Sequence, residues 1–214
     1  TRRSSDLDQD SRVSNSAGPL RRDSITQDFD ARGFEIGGDV TQPLFGGGIK
    51  LIGLFTRQER DNRELSMLDI GTDEAFGFAQ DLDDRLDEAV VRFVWNRSNA
   101  GGWSIEAGTE GVLNVLDSNV QLFSVDETGA RTRIDLPIDQ ARVKEWRGEL
   151  FVNAGRPLSP RLRLDLGLTY EHSRLTVSGD ADARRTLGFL KPKLTLDWKK
   201  PDSWHVQLAM ARTV

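Results

Sequence analysis

In Arg161-Leu162-Arg163-Leu164-Asp165-Leu166-Gly167-Leu168-Thr169-Tyr170 a large apolar side chain occupies every second position, and the positions between are charged, small or polar. Alternate residues of an extended chain point to the same side, so Leu162, Leu164, Leu166, Leu168 and Tyr170 form a dry face and Arg161, Arg163, Asp165, Gly167 and Thr169 a wet one. This period of two recurs and predicts strands at about 33–42, 49–60, 88–97, 103–116, 144–155, 161–178, 188–199 and 204–214. The apolar phase runs through Phe34, Ile36, Gly38 and Val40, then Leu51, Gly53 and Phe55, then Ala89, Val91, Phe93 and Trp95. It continues through Trp103, Ile105, Ala107, Leu113 and Val115, then Trp146, Leu150, Val152 and Ala154, then Leu190, Leu194, Leu196 and Trp198, and last Trp204, Val206, Leu208 and Met210.

The connections differ systematically in length. Tight turns are expected at Pro43 to Gly48, Ser98 to Gly102, Arg156 to Pro160 and Lys200 to Ser203, where Gly, Pro, Asn and Ser supply the backbone angles of a reversal. Longer polar connections are expected at 61–86 and 117–143, the second with a small hairpin at Asp126-Glu127-Thr128-Gly129, and a loop of medium length after Gly179. Residues 1–32, rich in Ser, Asp and Arg, are expected as a polar extracellular loop region, followed by a partial barrel domain at 33–214. Leu82, Leu86, Ala89, Val90 and Phe93 also fit a helical spacing, which makes a short helix the competing reading there. Pro192 removes a ladder donor and is expected at a rim or a bulge.

Tight turns that all fall at one end, with longer loops at the other, describe an antiparallel up-and-down transmembrane β-barrel with its short turns periplasmic. The all-β chain would supply about eight strands of a larger barrel. Trp95 and Trp103 flank one short turn and Trp198 and Trp204 another, while Trp146 and Tyr170 sit at the far ends of their strands. Those six are the expected interfacial girdles. Leu162, Leu164, Leu166, Leu168, Leu194 and Leu196 are the expected lipid-facing residues. Trp146 to Ala154 and Leu162 to Tyr170 have the ~9–11 residues that a tilted strand uses to cross a bilayer.

The phrases Arg147-Gly148-Glu149-Leu150-Phe151-Val152, Phe189-Leu190-Lys191-Pro192-Lys193-Leu194-Thr195-Leu196-Asp197-Trp198 and Gln42-Pro43-Leu44-Phe45-Gly46-Gly47-Gly48-Ile49-Lys50-Leu51 resemble the barrel of TonB-dependent outer-membrane receptors. The resemblance covers about 30–214. It implies a barrel of 22 strands around a plug domain, in the bacterial outer membrane, that imports a scarce nutrient such as a metal chelate or a glycan with energy from the inner membrane. Its implied partners are outer-membrane lipid and lipopolysaccharide, the plug, the TonB energy-coupling complex and a small-molecule ligand of unknown identity. No TonB box, plug or C-terminal aromatic strand end is recognised in the sequence, so no ligand-binding or coupling residue is carried over. Two other readings remain: a small complete outer-membrane barrel with a structural or adhesive role, and a soluble β-sandwich binding module.

Composition narrows this only in part. The 34 acidic and 29 basic residues give a net charge of -5, which disfavours a nucleic-acid partner. Zero cysteines exclude thiolate chemistry and disulfides. Mean hydropathy is -0.49 and no apolar run reaches the ~18 residues of a spanning helix, but barrels escape that test. No leader is recognised after Thr1, and the alternation runs to the last residues, so the sequence is expected to be an internal segment. Asp81, Asp83, Asp84, Asp87 and Glu88 are a cation-site candidate, but they lack the glycine and terminal glutamate of a calcium loop and read as a solvated loop. His172 and His205 stand alone in the sequence, no serine sits in a nucleophile elbow, and Gly46-Gly47-Gly48 lacks the Lys-Ser/Thr of a phosphate loop. No catalytic residue, metal or cofactor is expected, and the chain is not read as an enzyme. Glu145, Arg147, Glu149, Arg161, Arg163, Asp165, Lys191 and Lys193 are expected as lumen-wall ion pairs or plug contacts.

Overall fold

All eight predicted strands form, and most run well beyond the apolar alternation. The computed structural model describes residues 2–15, 18–69, 75–200 and 203–213, with backbone alone at 14, 15 and 18–20. Among these, ten strands lie in one antiparallel sheet: β1 (Arg2–Asn15), β2 (Gly18–Leu44), β3 (Gly47–Asp69), β4 (Phe76–Ala100), β5 (Trp103–Val125), β6 (Arg131–Ile134), β7 (Gln140–Ser159), β8 (Leu162–Gly179), β9 (Ala183–Lys199) and β10 (His205–Ala211). Neighbours in sequence are neighbours in the sheet, except that β6 pairs only with the top of β5 and β7 continues the meander beside β5. The sheet is open, with β1 and β10 each paired on one side.

The tight turns carry their own backbone signature. Phe45 and Gly46 join β2 to β3 with φ of 52° and 69°, the left-handed pair of a two-residue hairpin whose twist matches that of the strands. Gly101 and Gly102 do the same between β4 and β5, at 64° and 86°. Lys200 N–H donates to Trp204 O at 2.8 Å to close the β9–β10 turn, of which Pro201 and Asp202 lie outside the described residues. The predicted hairpin at Asp126 is present: the Asp126 carboxylate accepts from the N–H groups of Thr128 and Ala130, both at 2.9 Å, and Arg131 to Ile134 return along β5.

Four expectations need correction. Residues 2–15 and 18–32 are not loop; they form β1 and the upper half of β2, paired from Arg2↔Arg32 to Asn15↔Gly18. The described parts of 61–86 are likewise the tops of β3 and β4, in unbroken register from Leu54↔Val90 to Leu68↔Phe76. What replaces apolar pairing is opposite charge across the strands: Arg57 with Asp87 at 2.6 Å, Arg32 with Glu59 at 2.9 Å, and Arg2 with Asp30. The helical reading of Leu82 to Phe93 fails for the same reason, because β4 is laddered on both sides there. The fourth concerns Pro192, which stands in register opposite Leu168 without a bulge and within the apolar stretch. Its carbonyl accepts from Arg212 N–H at 3.1 Å, so its missing donor faces the side where β10 ends, not the β8 ladder.

A single sheet leaves almost no core. Large apolar side chains on one face are open, including Leu150 at 59%, Val152 at 44%, Leu166 at 40% and Leu168 at 43% exposure. No second layer covers them among the described residues, which removes the β-sandwich reading.

Candidate membrane belt and lumen wall

The register assembles the alternating residues into two continuous surfaces. One rung passes Val40, Leu51, Phe93, Thr109, Leu150, Tyr170 and Leu190, and all of these belong to the apolar phase of their strands. Successive rungs below it, each two residues further down β8, join Leu168 to Val152 and Pro192, Leu166 to Ala154 and Leu194, and Leu164 to Leu196, which continues to Leu208. The six predicted lipid-facing leucines therefore lie in one patch, within an apolar belt that crosses β2, β3, β4, β5, β7, β8, β9 and β10.

The belt is not parallel to the rungs. Leu51 is low in the Ile49-to-Phe55 stretch of β3, yet its rung emerges at Tyr170, the top of the stretch on β8. The belt thus slips by about one residue per strand. With a rise of ~3.3 Å per residue and ~4.8 Å between strands, this corresponds to strands tilted by roughly 35–40° from the normal to the belt. A flat soluble sheet has no reason for such a slip, whereas a closed barrel requires it.

The expected girdle residues follow the same slant. Trp95 and Trp103 on β4 and β5, and Trp198 on β9, mark the lower margin, and Trp204 follows in the β9–β10 turn, 71% exposed. Trp95 Nε1 donates to Leu44 O at 3.3 Å, and the Arg156 guanidinium lies 5.7 Å from the Trp103 ring. Trp146 and Tyr170 are both at upper ends but not on one rung: Trp146 pairs with Arg174, four residues above Tyr170, and meets the His172 ring edge-on at 5.9 Å. His172 is thereby accounted for as a belt-edge neighbour of Trp146. His205 Nε2 lies 2.6 Å from Asp197 on the opposite face.

That opposite face carries the charges expected for a lumen. Arg92 reaches Glu110 at 3.0 Å, Arg147 reaches the same carboxylate at 3.8 Å, and Lys191 pairs with Glu171. Arg163 bridges Asp165 along its own strand at 2.7 Å, while Arg161 is a turn residue. Sequence reasoning missed the apolar part of this face. Phe151 is 8% exposed, sits opposite Gly108 and lies under Arg92, whose guanidinium is 5.0 Å from the ring. A Cβ at Gly108 would come within 2.6 Å of Phe151 and 2.3 Å of the Phe93 carbonyl, so glycine there makes room for the ring. The signal was a phenylalanine in the wet phase of β7 facing a glycine, visible only once strands are paired.

The acidic group on β4 is divided by the same alternation. Asp81, Asp83 and Asp87 share the belt phase and Asp84 and Glu88 the other, so the five do not converge. Asp83 faces Asp61 across the ladder. Desolvation holds its carboxyl above the usual carboxylate range even though the residue as a whole is exposed, and a hydrogen bond with Asp61 adds to the shift. At the β8–β9 turn, Asp180 accepts the N–H groups of Gln140 at 2.7 Å and Asp139 at 2.8 Å, and these bonds hold its carboxyl below the usual range.

No family model and no curated protein matches the sequence. Solved structures do match. The ferric citrate transporter FecA in its unliganded form aligns over 96% of this chain and 35% of its own, at 11% identity and a TM-score of 0.56. The sheet has the fold of an outer-membrane receptor wall. The siderophore receptor PiuA from Acinetobacter baumannii aligns over 98% of this chain and 47% of its own, at 9% identity and a TM-score of 0.49. The copper transporter OprC aligns over 94% and 42%, at 13% identity and a TM-score of 0.44. All three are transporters or receptors, and the chain spans less than half the length of each. At such identities the likeness to the receptor wall is one of fold.

Proposed function

We propose that this chain is part of the wall of a transmembrane β-barrel of the TonB-dependent receptor type in a bacterial outer membrane. The slanted apolar belt carries this reading, because it combines a bilayer-facing surface with the strand tilt of a closed barrel. The open sheet and the partial span of its structural neighbours support a larger barrel over a small complete one. In this reading the short turns are periplasmic, and the tall upper halves of β1 to β5, with the described residues up to 32, stand outside the membrane. Leu162, Leu164, Leu166, Leu168, Leu194 and Leu196 face lipid, and Trp95, Trp103, Trp146, Tyr170, Trp198 and Trp204 lie at its margins.

The activity proposed is ligand uptake, with the charged face lining the lumen against a plug domain and with energy from a TonB complex. The structural neighbour FecA is a ferric citrate transporter, which supports a metal chelate as cargo. A glycan remains the other class proposed from the sequence. No residue is assigned a catalytic role; the wall contributes shape, a wet face and a dry face. The test is substitution by depth in the full-length protein refolded into bilayers. Leu166→Arg is expected to cost ~2–4 kcal/mol near the midplane, and Asp165→Arg, one residue away on the wet face, to be mild. Equal tolerance at both positions would overturn the lipid-facing assignment.

A further inference from the structure

Above the belt, on the same face, the wall carries a collar of charge whose two halves differ. On β2 to β5 three of its cations hold carboxylates: Arg32 holds Glu59 at 2.9 Å, and Arg57 and Arg85 share Asp87 at 2.6 and 3.0 Å. On β7 to β9 the register brings cations together, and Asp182, next to the start of β9, forms no ion pair with them. Arg174 stands opposite Trp146 and Thr186, and Thr176 lies between Lys144 and Arg184. Arg142 follows opposite Ser178 and reaches Asp117 on β5 at 3.5 Å. Among the described residues Lys144, Arg174 and Arg184 form no ion pair, and all three are exposed. Lys144 and Arg184 are two strands apart, ~10 Å, with the hydroxyls of Thr176 and Thr186 around them.

We infer that Lys144, Arg174 and Arg184, with Trp146 beneath them, form a docking site for the phosphorylated headgroup of lipopolysaccharide in the outer leaflet. This rests on the membrane reading above, with the short turns periplasmic. Charge complementarity selects the occupant. The cations stand level with Trp146 and just above it, where phosphates meet acyl chains, and among the described residues they form no ion pair, whereas Arg32, Arg57 and Arg85 already hold carboxylates. Acyl chains would continue down the belt over Leu150 and Tyr170, which are 59% and 45% exposed.

The experiment measures binding of bis-phosphorylated lipid A to the full-length protein in phospholipid nanodiscs, with quenching of tryptophan fluorescence by brominated acyl chains read in parallel. Each cation removed is expected to weaken binding about fivefold, so Lys144→Gln, Arg174→Gln and Arg184→Gln together should weaken it by roughly 100-fold. The charge-preserving triple change Lys144→Arg, Arg174→Lys and Arg184→Lys should keep most of the affinity, which separates lost charge from a damaged fold. The double change Arg32→Gln and Glu59→Gln, in the paired half, should leave it unaltered. Lipid A stripped of phosphate should bind the unaltered protein as weakly as lipid A binds the triple Gln variant. Unchanged lipid A binding by the triple Gln variant, with quenching retained, would overturn the docking site alone. Equal binding of phosphatidylglycerol and lipid A would overturn the choice of occupant. Absence of quenching in the unaltered protein would overturn the membrane reading and the site with it.

Discussion

Phe45 is the residue whose backbone most nearly contradicts its side chain. It sits at φ 52° in the β2–β3 turn and is 79% exposed, so no packing offsets the steric cost of a left-handed conformation with a bulky Cβ substituent. Phe45→Asn keeps the turn geometry and tolerates that region, and should stabilise the hairpin by ~0.5–1 kcal/mol in urea unfolding of the refolded protein. A loss of stability would show that Phe45 makes a contact beyond its own turn. Glycine explains a different kind of residue-level fact at Gly108, where the missing side chain is what lets Phe151 lie flat on the wet face. The leucines of β8 needed no such pairing knowledge. Their phase was legible because large apolar residues at a strict period of two have one physical solution, a face away from water.

Strand existence was legible in the sequence and strand length was not. The predicted limits of β5 and β8 begin within a residue of those observed, since Trp103 and Leu162 directly follow tight turns with their own residue signals. The upper halves of β2, β3 and β4 carry no apolar alternation; their ladders are supported by pairs such as Arg57 with Asp87, and a charge pair across strands cannot be recognised until the register is known. Residues 2–15 were hidden for the same reason. At the element scale the β8–β9 turn makes a pH-dependent prediction. Asp180 holds two backbone N–H groups of the β7 start, and its carboxyl is depressed. A depressed acid stabilises the fold above its ordinary value and loses that contribution as pH falls through the folded one. Amide exchange at Asp139 and Gln140 should therefore be slower in the unaltered protein than in Asp180→Asn at neutral pH, with the difference vanishing on acidification. A difference that persists in acid would mean that the clamp does not depend on the carboxylate.

On the scale of the whole sheet, the two surfaces and the slant between belt and rungs belong together. Alternation alone would fit any half-buried antiparallel sheet. The slip of about one residue per strand distinguishes a tilted barrel wall, and it emerges only from pairing the strands, which is why the sequence could suggest a barrel but not its tilt. Uptake, a plug and a lipid site all depend on the leucine face meeting acyl chains and the charged face meeting water. Spin labels placed singly from Leu162 to Tyr170, in the full-length protein reconstituted in bilayers, test this most directly. Collision with dissolved oxygen should peak at 162, 164, 166, 168 and 170 and collision with a polar nickel complex at 163, 165, 167 and 169. Polar-reagent access at all nine positions, or oxygen access peaking on the charged set, would contradict the account.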